Sequence, residues 1–205
     1  MGNLLNMSGG SLLVKGLPYD YEVEYLESTG TQWIDTEYRF SSDIITVDSK
    51  FERTRGQYFF IGNYGDSAEN RFEILRERAD LKILGRPNNL TISNSANEIN
   101  TLVVSFNSGE LSAVYKGKTV SLSGNNSLKT NTNTIYIGKR HDGAPYQPIS
   151  IYRIWYLKIY DNNILTRDMI PVCKCTTGYL YDKVSGQLFG NQGTGNFILG
   201  PDKTN

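Results

Sequence analysis

Histidine is nearly absent from this 205-residue chain, with His141 alone, and cysteine is confined to Cys173 and Cys175 on either side of Lys174. A Cys-x-Cys pair and a single imidazole cannot assemble an ordinary four-ligand zinc site. Residues two apart in a strand share a face, and a disulfide between them would be strained. Two free thiols are therefore expected, as in a protein made in a reducing compartment. Neither sign of charge dominates: Lys plus Arg and Asp plus Glu number 21 each, for a net charge of zero. That balance leaves no electrostatic footprint for nucleic acid or for an anionic membrane. It also leaves little self-repulsion, which suits a subunit of an assembly.

Long apolar runs are missing too. The N-terminal MGNLLNMSGGSLLVKGLPYD interrupts its apolar stretches too often for a signal peptide or a membrane span. Asn6 defeats the myristoylation pattern that Gly2 would open. The expectation is synthesis in the cytoplasm without a leader. No Gly-x-Ser-x-Gly elbow and no phosphate loop occur. Ser/His/Asp catalysis would require His141 as base, yet it stands in the polar, turn-like stretch Lys139-Arg140-His141-Asp142-Gly143. Helix signals are nearly absent: residues 69–79 include helix formers, but Phe72 and Ile74 alternate there with Arg71 and Glu73.

What the chain does have is 14 Tyr, 8 Phe, 2 Trp and 20 Gly, a balance of strand and turn formers. Strand patterns run over 21–26, 31–38, 44–51, 57–63, 71–77, 80–84, 90–92, 101–106, 111–115, 119–122, 149–160, 164–172, 178–182 and 187–190. Turn residues, among them Asn107-Ser108-Gly109, Lys116-Gly117-Lys118 and Asp161-Asn162-Asn163, punctuate them at the spacing of a sandwich. The reading is all-β, one two-sheet antiparallel sandwich over 21–205, long enough to bury its own core. The 149–160 stretch is apolar on both faces and should be a central strand. Trp155, Leu157 and Ile159 are expected to form one buried face, with Phe106 and Phe60 beside them.

Residues 1–20 read as a separate N-terminal arm with one short strand near Leu12. Leu4, Leu5, Leu12, Leu13, Val14 and Leu17 are too apolar for a solvated tail. They are assigned to a partner contact, by strand addition onto another subunit.

Three stretches carry a resemblance: Tyr25-Leu26-Glu27-Ser28-Thr29-Gly30-Thr31-Gln32-Trp33-Ile34-Asp35-Thr36, then IYRIWYLKIYD (151–161) with LTRDMIPV (165–172), then YDKVSGQLFGNQGT (181–194). In order and spacing, over about 21–200, the chain resembles the LamG-like, concanavalin A-like jelly-roll domains of phage and prophage structural proteins of gut bacteria. The resemblance implies a jelly roll and a non-enzymatic virion protein: capsid decoration, head fibre or tail-associated module. Its partners would be other virion proteins or copies of itself, and its location the virion. The same family includes lectin-like adhesion modules that recognise host surface glycans, which is the alternative function. Candidate glycan contacts are Tyr58, Tyr64, Arg140, His141 and Tyr146, with Tyr136 and Tyr152 as further aromatics near Asn-rich loops. Retaining glycosidases of this fold need paired carboxylates. Asp35 and Glu37 would share a strand face, but Trp33 stands where the family's nucleophile belongs. Calcium, the family's other option, would have Asp161, Asn162, Asn163 and Asp142, too few oxygens for a loop site. No cofactor or metal is expected. Arg167 and Asp168, adjacent in a strand, should face opposite ways and each need its own partner.

Overall fold

Alternation decides the strands. In the segment Ile45–Arg55, Ile45, Val47 and Phe51 are fully buried while Thr46, Asp48 and Lys50 are half-exposed, the period of a strand with one face on a core. The computed structural model describes residues 16–55, 58–64, 71–77, 80–85, 89–93, 100–107, 109–126, 133–139 and 151–203. At 55, 58–60, 64, 77, 100, 125 and 126 it describes the backbone alone.

The chain runs through β1 (Tyr21–Glu22), β2 (Leu26–Glu27), β3 (Ile34–Asp35), β4 (Ile45–Arg55), β5 (Tyr58–Tyr64) and β6 (Arg71–Glu77). It continues as β7 (Asp80–Leu84), β8 (Asn89–Ile92), β9 (Asn100–Asn107), β10 (Gly109–Tyr115), β11 (Lys118–Asn126) and β12 (Tyr136–Ile137). It closes with β13 (Ile151–Asp161), β14 (Ile164–Lys174), β15 (Thr177–Asp182), β16 (Gln187–Phe189) and β17 (Ile198–Leu199). No helix occurs among the described residues. An eleven-stranded sheet has the order β11-β10-β9-β4-β13-β14-β15-β16, with β1 on β14, β2 on β13 and β17 on β2. A six-stranded sheet has the order β3-β12-β5-β6-β7-β8, and every pairing in both sheets is antiparallel. The described residues form an all-β, two-sheet antiparallel sandwich.

Register explains the core. Ile34, Ile137, Ile61, Ile74, Ile83 and Leu90 stand opposite one another in a single row across all six strands of the smaller sheet. All six are at most 3% exposed. The larger sheet answers with Ala113, Val104, Val47 and Ile159 in one row. Phe72 of β6 meets Phe106 of β9 edge-on, ring centroids 5.6 Å apart, which ties the two layers together.

β13 lies between β4 and β2 in its first half and between β4 and β14 in its second. It is central, as expected, but its inward set is not the expected one. Tyr152, Ile154, Leu157 and Ile159 are fully buried and Trp155 is only half-buried. The reason is a β-bulge: Ile154 pairs with Phe51 and Tyr156 with Lys50, so Trp155 is an extra residue without a register partner. The bulge switches the inward positions from even to odd numbers, so that Trp155 and Tyr156 both face outward. Of its expected neighbours, Phe106 is buried, and Phe60 pairs with Leu75 in β5 with its side chain outside the described set. Tyr152 is also corrected. It is not a surface aromatic, and its hydroxyl sits 3.4 Å from the Gln32 carbonyl oxygen and 3.5 Å from that of Ile137, deep in the core. Burial raises its pKa.

The segment 31–38 is expected as one strand, but only Ile34–Asp35 pairs. Gln32, 1% exposed, is spent on a latch instead. Its Oε1 accepts from the Thr29 N–H (2.7 Å) and the Ser28 hydroxyl (3.2 Å), and its Nε2 donates to the Thr194 carbonyl (2.9 Å). Asn191 Oδ1 accepts from the N–H groups of Trp33 and Gly193. A Cβ on Gly193 would lie 1.9 Å from the Thr31 carbonyl oxygen, so only glycine fits there. The first and third stretches of the family resemblance are thus each other's packing partners.

Asp161 ends β13 pointing inward, 4% exposed. Tyr38, Ser41 and Ser42 donate their hydroxyls to it, and the Ser41 N–H adds a bond of 2.7 Å. Asn162 and Asn163 make the hairpin turn at φ 49° and 62°. Burial disfavours the Asp161 charge, but these hydrogen bonds outweigh it and hold the carboxyl below the usual carboxylate range. Folded Asp161 therefore contributes stability above the ordinary carboxylate pKa and loses it as the pH falls through its depressed folded value. Asp161→Asn should cost about 1.5–3 kcal/mol at neutral pH. Urea midpoints followed from pH 7 to pH 3 should show the wild type losing that advantage, so a gap that stays constant with pH would refute the assignment.

Candidate functional site

The bulge that frees Trp155 also builds a cleft on the outer face of the larger sheet. Tyr156 stands opposite Lys50, with the bulged Trp155 next to it. Tyr156 donates its hydroxyl to Asp48 at 3.0 Å, and burial, helped by that carboxylate, pushes its pKa up to about 12. Tyr156 is therefore neutral and fixed in direction throughout the physiological range. The Lys50 ammonium lies 5.4 Å from the centre of the Trp155 ring, a cation–π distance. Tyr25 meets the indole at a tilt, 5.3 Å between centroids, and the Arg153 guanidinium lies over the Tyr25 ring at 4.8 Å.

One wall of the cleft comes from the two ends of the domain. Gly200 N–H donates to the Tyr25 carbonyl (2.9 Å), Glu24 N–H to that of Pro201 (2.8 Å) and Lys203 N–H to that of Glu22 (3.0 Å). These bonds carry Glu24 and Lys203 to the rim. Arg153, clamped between Glu27 at 2.6 Å and Glu52 at 3.5 Å, pins β2 to β13 and β4 behind them. The result is a cleft of about 390 Å³ lined by Glu24, Lys50, Trp155, Tyr156 and Lys203. That volume suits a small ligand. An indole face, two ammonium groups, a carboxylate and a phenol offer an apolar platform ringed by donors and acceptors.

The residues singled out from sequence lie elsewhere. Tyr58 and Tyr64 occupy β5 opposite Glu77 and Arg71, in the smaller sheet, with their side chains outside the described set. Arg140, His141 and Tyr146 lie outside the described residues, as do Leu4, Leu5, Leu12, Leu13 and Val14. Leu17 is described and is 63% exposed. Tyr136 meets Trp33 at a tilt, centroids 4.5 Å apart, and Lys139 lies over the same indole at 4.6 Å, both rings half-exposed at the edge of the smaller sheet. Trp33, Tyr136 and Lys139 do not reach the Trp155 cleft.

Asp35 and Glu37 do not form the same-face pair expected of them. Glu37 lies beyond β3 at φ 53°, and Asp35 accepts its N–H at 2.8 Å. Arg167 and Asp168 do take separate partners. Arg167 donates to the Thr36 and Thr166 carbonyls and lies 3.7 Å from Asp182, while Asp168 faces Lys158 at 3.8 Å. Cys173 is buried, Cys175 is exposed, and both are free. Among the described residues no cluster of three His, Cys, Asp or Glu could hold a metal.

No protein-family model matches the chain, and no curated protein matches it. Solved structures similar to it include domains LG4-5 of the mouse laminin α1 chain, at 8% identity and a TM-score of 0.49, covering 78% of this chain and 48% of that one. The CBM40 of Ruminococcus gnavus IT-sialidase, bound to α2,3-sialyllactose, is 13% identical with a TM-score of 0.44, covering 67% and 90%. A native heptameric SAP-like pentraxin of Limulus polyphemus is 10% identical with a TM-score of 0.48, covering 89% and 90%. At such identities the likeness concerns the fold and assigns no ligand.

The two faces of β13 make opposite predictions. Leu157→Ala should cost about 2–5 kcal/mol as a buried truncation. Trp155→Ala should cost no more than about 2 kcal/mol, because part of the indole already faces water. Equal losses in urea midpoint would place Trp155 in the core after all.

Proposed function

We propose that this chain is a non-enzymatic glycan-binding module that holds a saccharide on the Trp155 cleft. The observation that supports it most is the bulge. It sets the half-exposed indole and the neighbouring Tyr156 on the same outer face, where regular alternation from Tyr152 and Ile154 would have turned Tyr156 inward. Bulges re-aim side chains in this way at functional sites. A sugar ring offers a C–H face to an aromatic platform and hydroxyls to the groups around it. Glu24 serves as acceptor and Lys50 and Lys203 as donors. The absence of catalysis is part of the proposal, supported by the separation of Asp35 from Glu37.

The setting we propose is the surface of a bacteriophage particle, where host surface glycans would be the ligands. It is supported by the resemblance of residues 25–36, 151–172 and 181–194 to phage LamG-like domains. In that setting the arm is the assembly element. Tyr19 packs on Tyr181 with centroids 5.0 Å apart, and the Asp20 N–H donates to the Cys173 carbonyl. Leu17, just before them, faces solvent. Leu4, Leu5, Leu12, Leu13, Val14 and Leu17 would then dock on another copy or on a different virion protein.

Screening on a glycan array followed by calorimetry tests the ligand. The expected result is saccharide binding that weakens at least tenfold in Trp155→Ala, the loss of an aromatic anchor worth more than about 1.4 kcal/mol, with the fold retained. Silence across the array would refute the reading. For the arm, a chain lacking residues 1–16 should sediment as a folded monomer that no longer assembles. An unfolded or aggregated product would show instead that the arm belongs to its own core.

A further inference from the structure

The outer face around the cleft distributes its charges unevenly. Arg153 pairs with Glu27 and Glu52, Lys158 with Asp168 at 3.8 Å, and Lys203 with Glu22 at 3.6 Å. Lys50 makes no ion pair among the described residues, although it stands among these groups. Asp48, two residues away on the same strand face, is taken by the Tyr156 hydroxyl. The Lys50 ammonium has the Trp155 ring beside it and cleft space in front of it.

The cleft also has a continuation. Thr101 of β9 stands directly opposite Lys50. Beyond it lies a second depression of about 210 Å³, lined by Thr101, Val103, Val114, Lys116 and Gly117. β13, β4, β9 and β10 are consecutive in the sheet, so the track from Trp155 to Val114 crosses three strand spacings, about 14 Å. Lys50 stands near the middle of that track. A chain of sugars laid across the strands from Trp155 would pass over its ammonium.

We propose that this site selects negatively charged saccharides, with Lys50 reading a carboxylate or sulfate on the sugar stacked at Trp155. The inference rests on the glycan-binding reading and adds a charge to it. The anion supplies the counterion that the protein leaves out. The indole supplies contact area that does not depend on charge. Glu24, on the rim, disfavours an anion placed near it, so the acid group must point along the track toward Thr101.

The test titrates the full chain with three oligosaccharides of equal length: one neutral, one bearing uronates and one bearing sulfates. At low salt the charged ligands should bind about five- to tenfold more tightly than the neutral one, and the advantage should shrink as salt is added. Lys50→Gln should erase the difference between the charged and neutral ligands, whatever it costs all three in common, and Lys50→Arg should restore most of it. Lys158→Gln, on the same face but outside the cleft, should keep the full preference. A uronate-only or sulfate-only preference would still support the role of Lys50 and would identify the anion. If all three ligands bind equally and still depend on Trp155, or if Lys50→Gln leaves the preference for charged ligands unchanged, the charge inference fails while the glycan reading stands. If none binds, both fall together.

Discussion

The structure depends on how β13 resolves a conflict between its two halves. It is covered on both edges, by β4 and β2 and then by β4 and β14. Strand side chains alternate with period two, and the row that would continue inward from Tyr152 and Ile154 is Tyr156 and Lys158. Burying Lys158 between two sheets would leave an ammonium in the core. One inserted residue at Trp155 shifts the phase, so that Leu157 and Ile159 take the inner row and Lys158 meets Asp168 outside. The cost is one residue without a ladder partner. That residue is the large aromatic around which the cleft is built.

Buried polar groups hold the ends of the sandwich. Asp161 gathers Tyr38, Ser41 and Ser42 at one point, and Asp182, fully buried, accepts from the N–H groups of Asp168, Val184 and Ser185. Gln32 and Asn191 interlock two loops more than 150 residues apart in sequence. Together these side chains satisfy the backbone N–H groups of Thr29, Trp33, Ser41, Asp168, Val184, Ser185 and Gly193. The cleft inherits its definition from this arrangement. Lys50 and Trp155 are on central strands, and the Glu24–Tyr25 wall is fastened by main-chain bonds to residues 200 and 201. Side chains placed on paired strands keep their geometry better than side chains on free loops.

Much of this was legible in the chain itself, because period-two alternation and turn residues are local signals. β6 and β7 begin and end at the residues their patterns mark, and β4, β9 and β14 differ by a few residues at their ends. β12 carries too short a pattern to announce itself and exists because β3 and β5 flank it. The Trp155 cleft was not legible. The aromatics beside Asn-rich loops drew attention to the smaller sheet and to residues 140–146, whereas the cleft uses Tyr25, Lys50, Trp155 and Lys203 from four distant parts of the chain. The one available signal was the change of phase inside IYRIWYLKIYD, where apolar residues fall on even numbers to Ile154 and on odd numbers from Leu157.

The sequence by itself determined an all-β sandwich, a zero net charge, two free thiols, a central strand over β13 and separate partners for Arg167 and Asp168. Each of these follows from composition or from neighbours along the chain. Only the tertiary structure decided which way Trp155 faces, that Tyr152 is core, and that Asp35 and Glu37 part company. The physical reason is the same in each case. The facing of a strand residue depends on the register against its neighbours, and a bulge or a left-handed turn changes that register by one residue without changing the composition that sequence reading relies on.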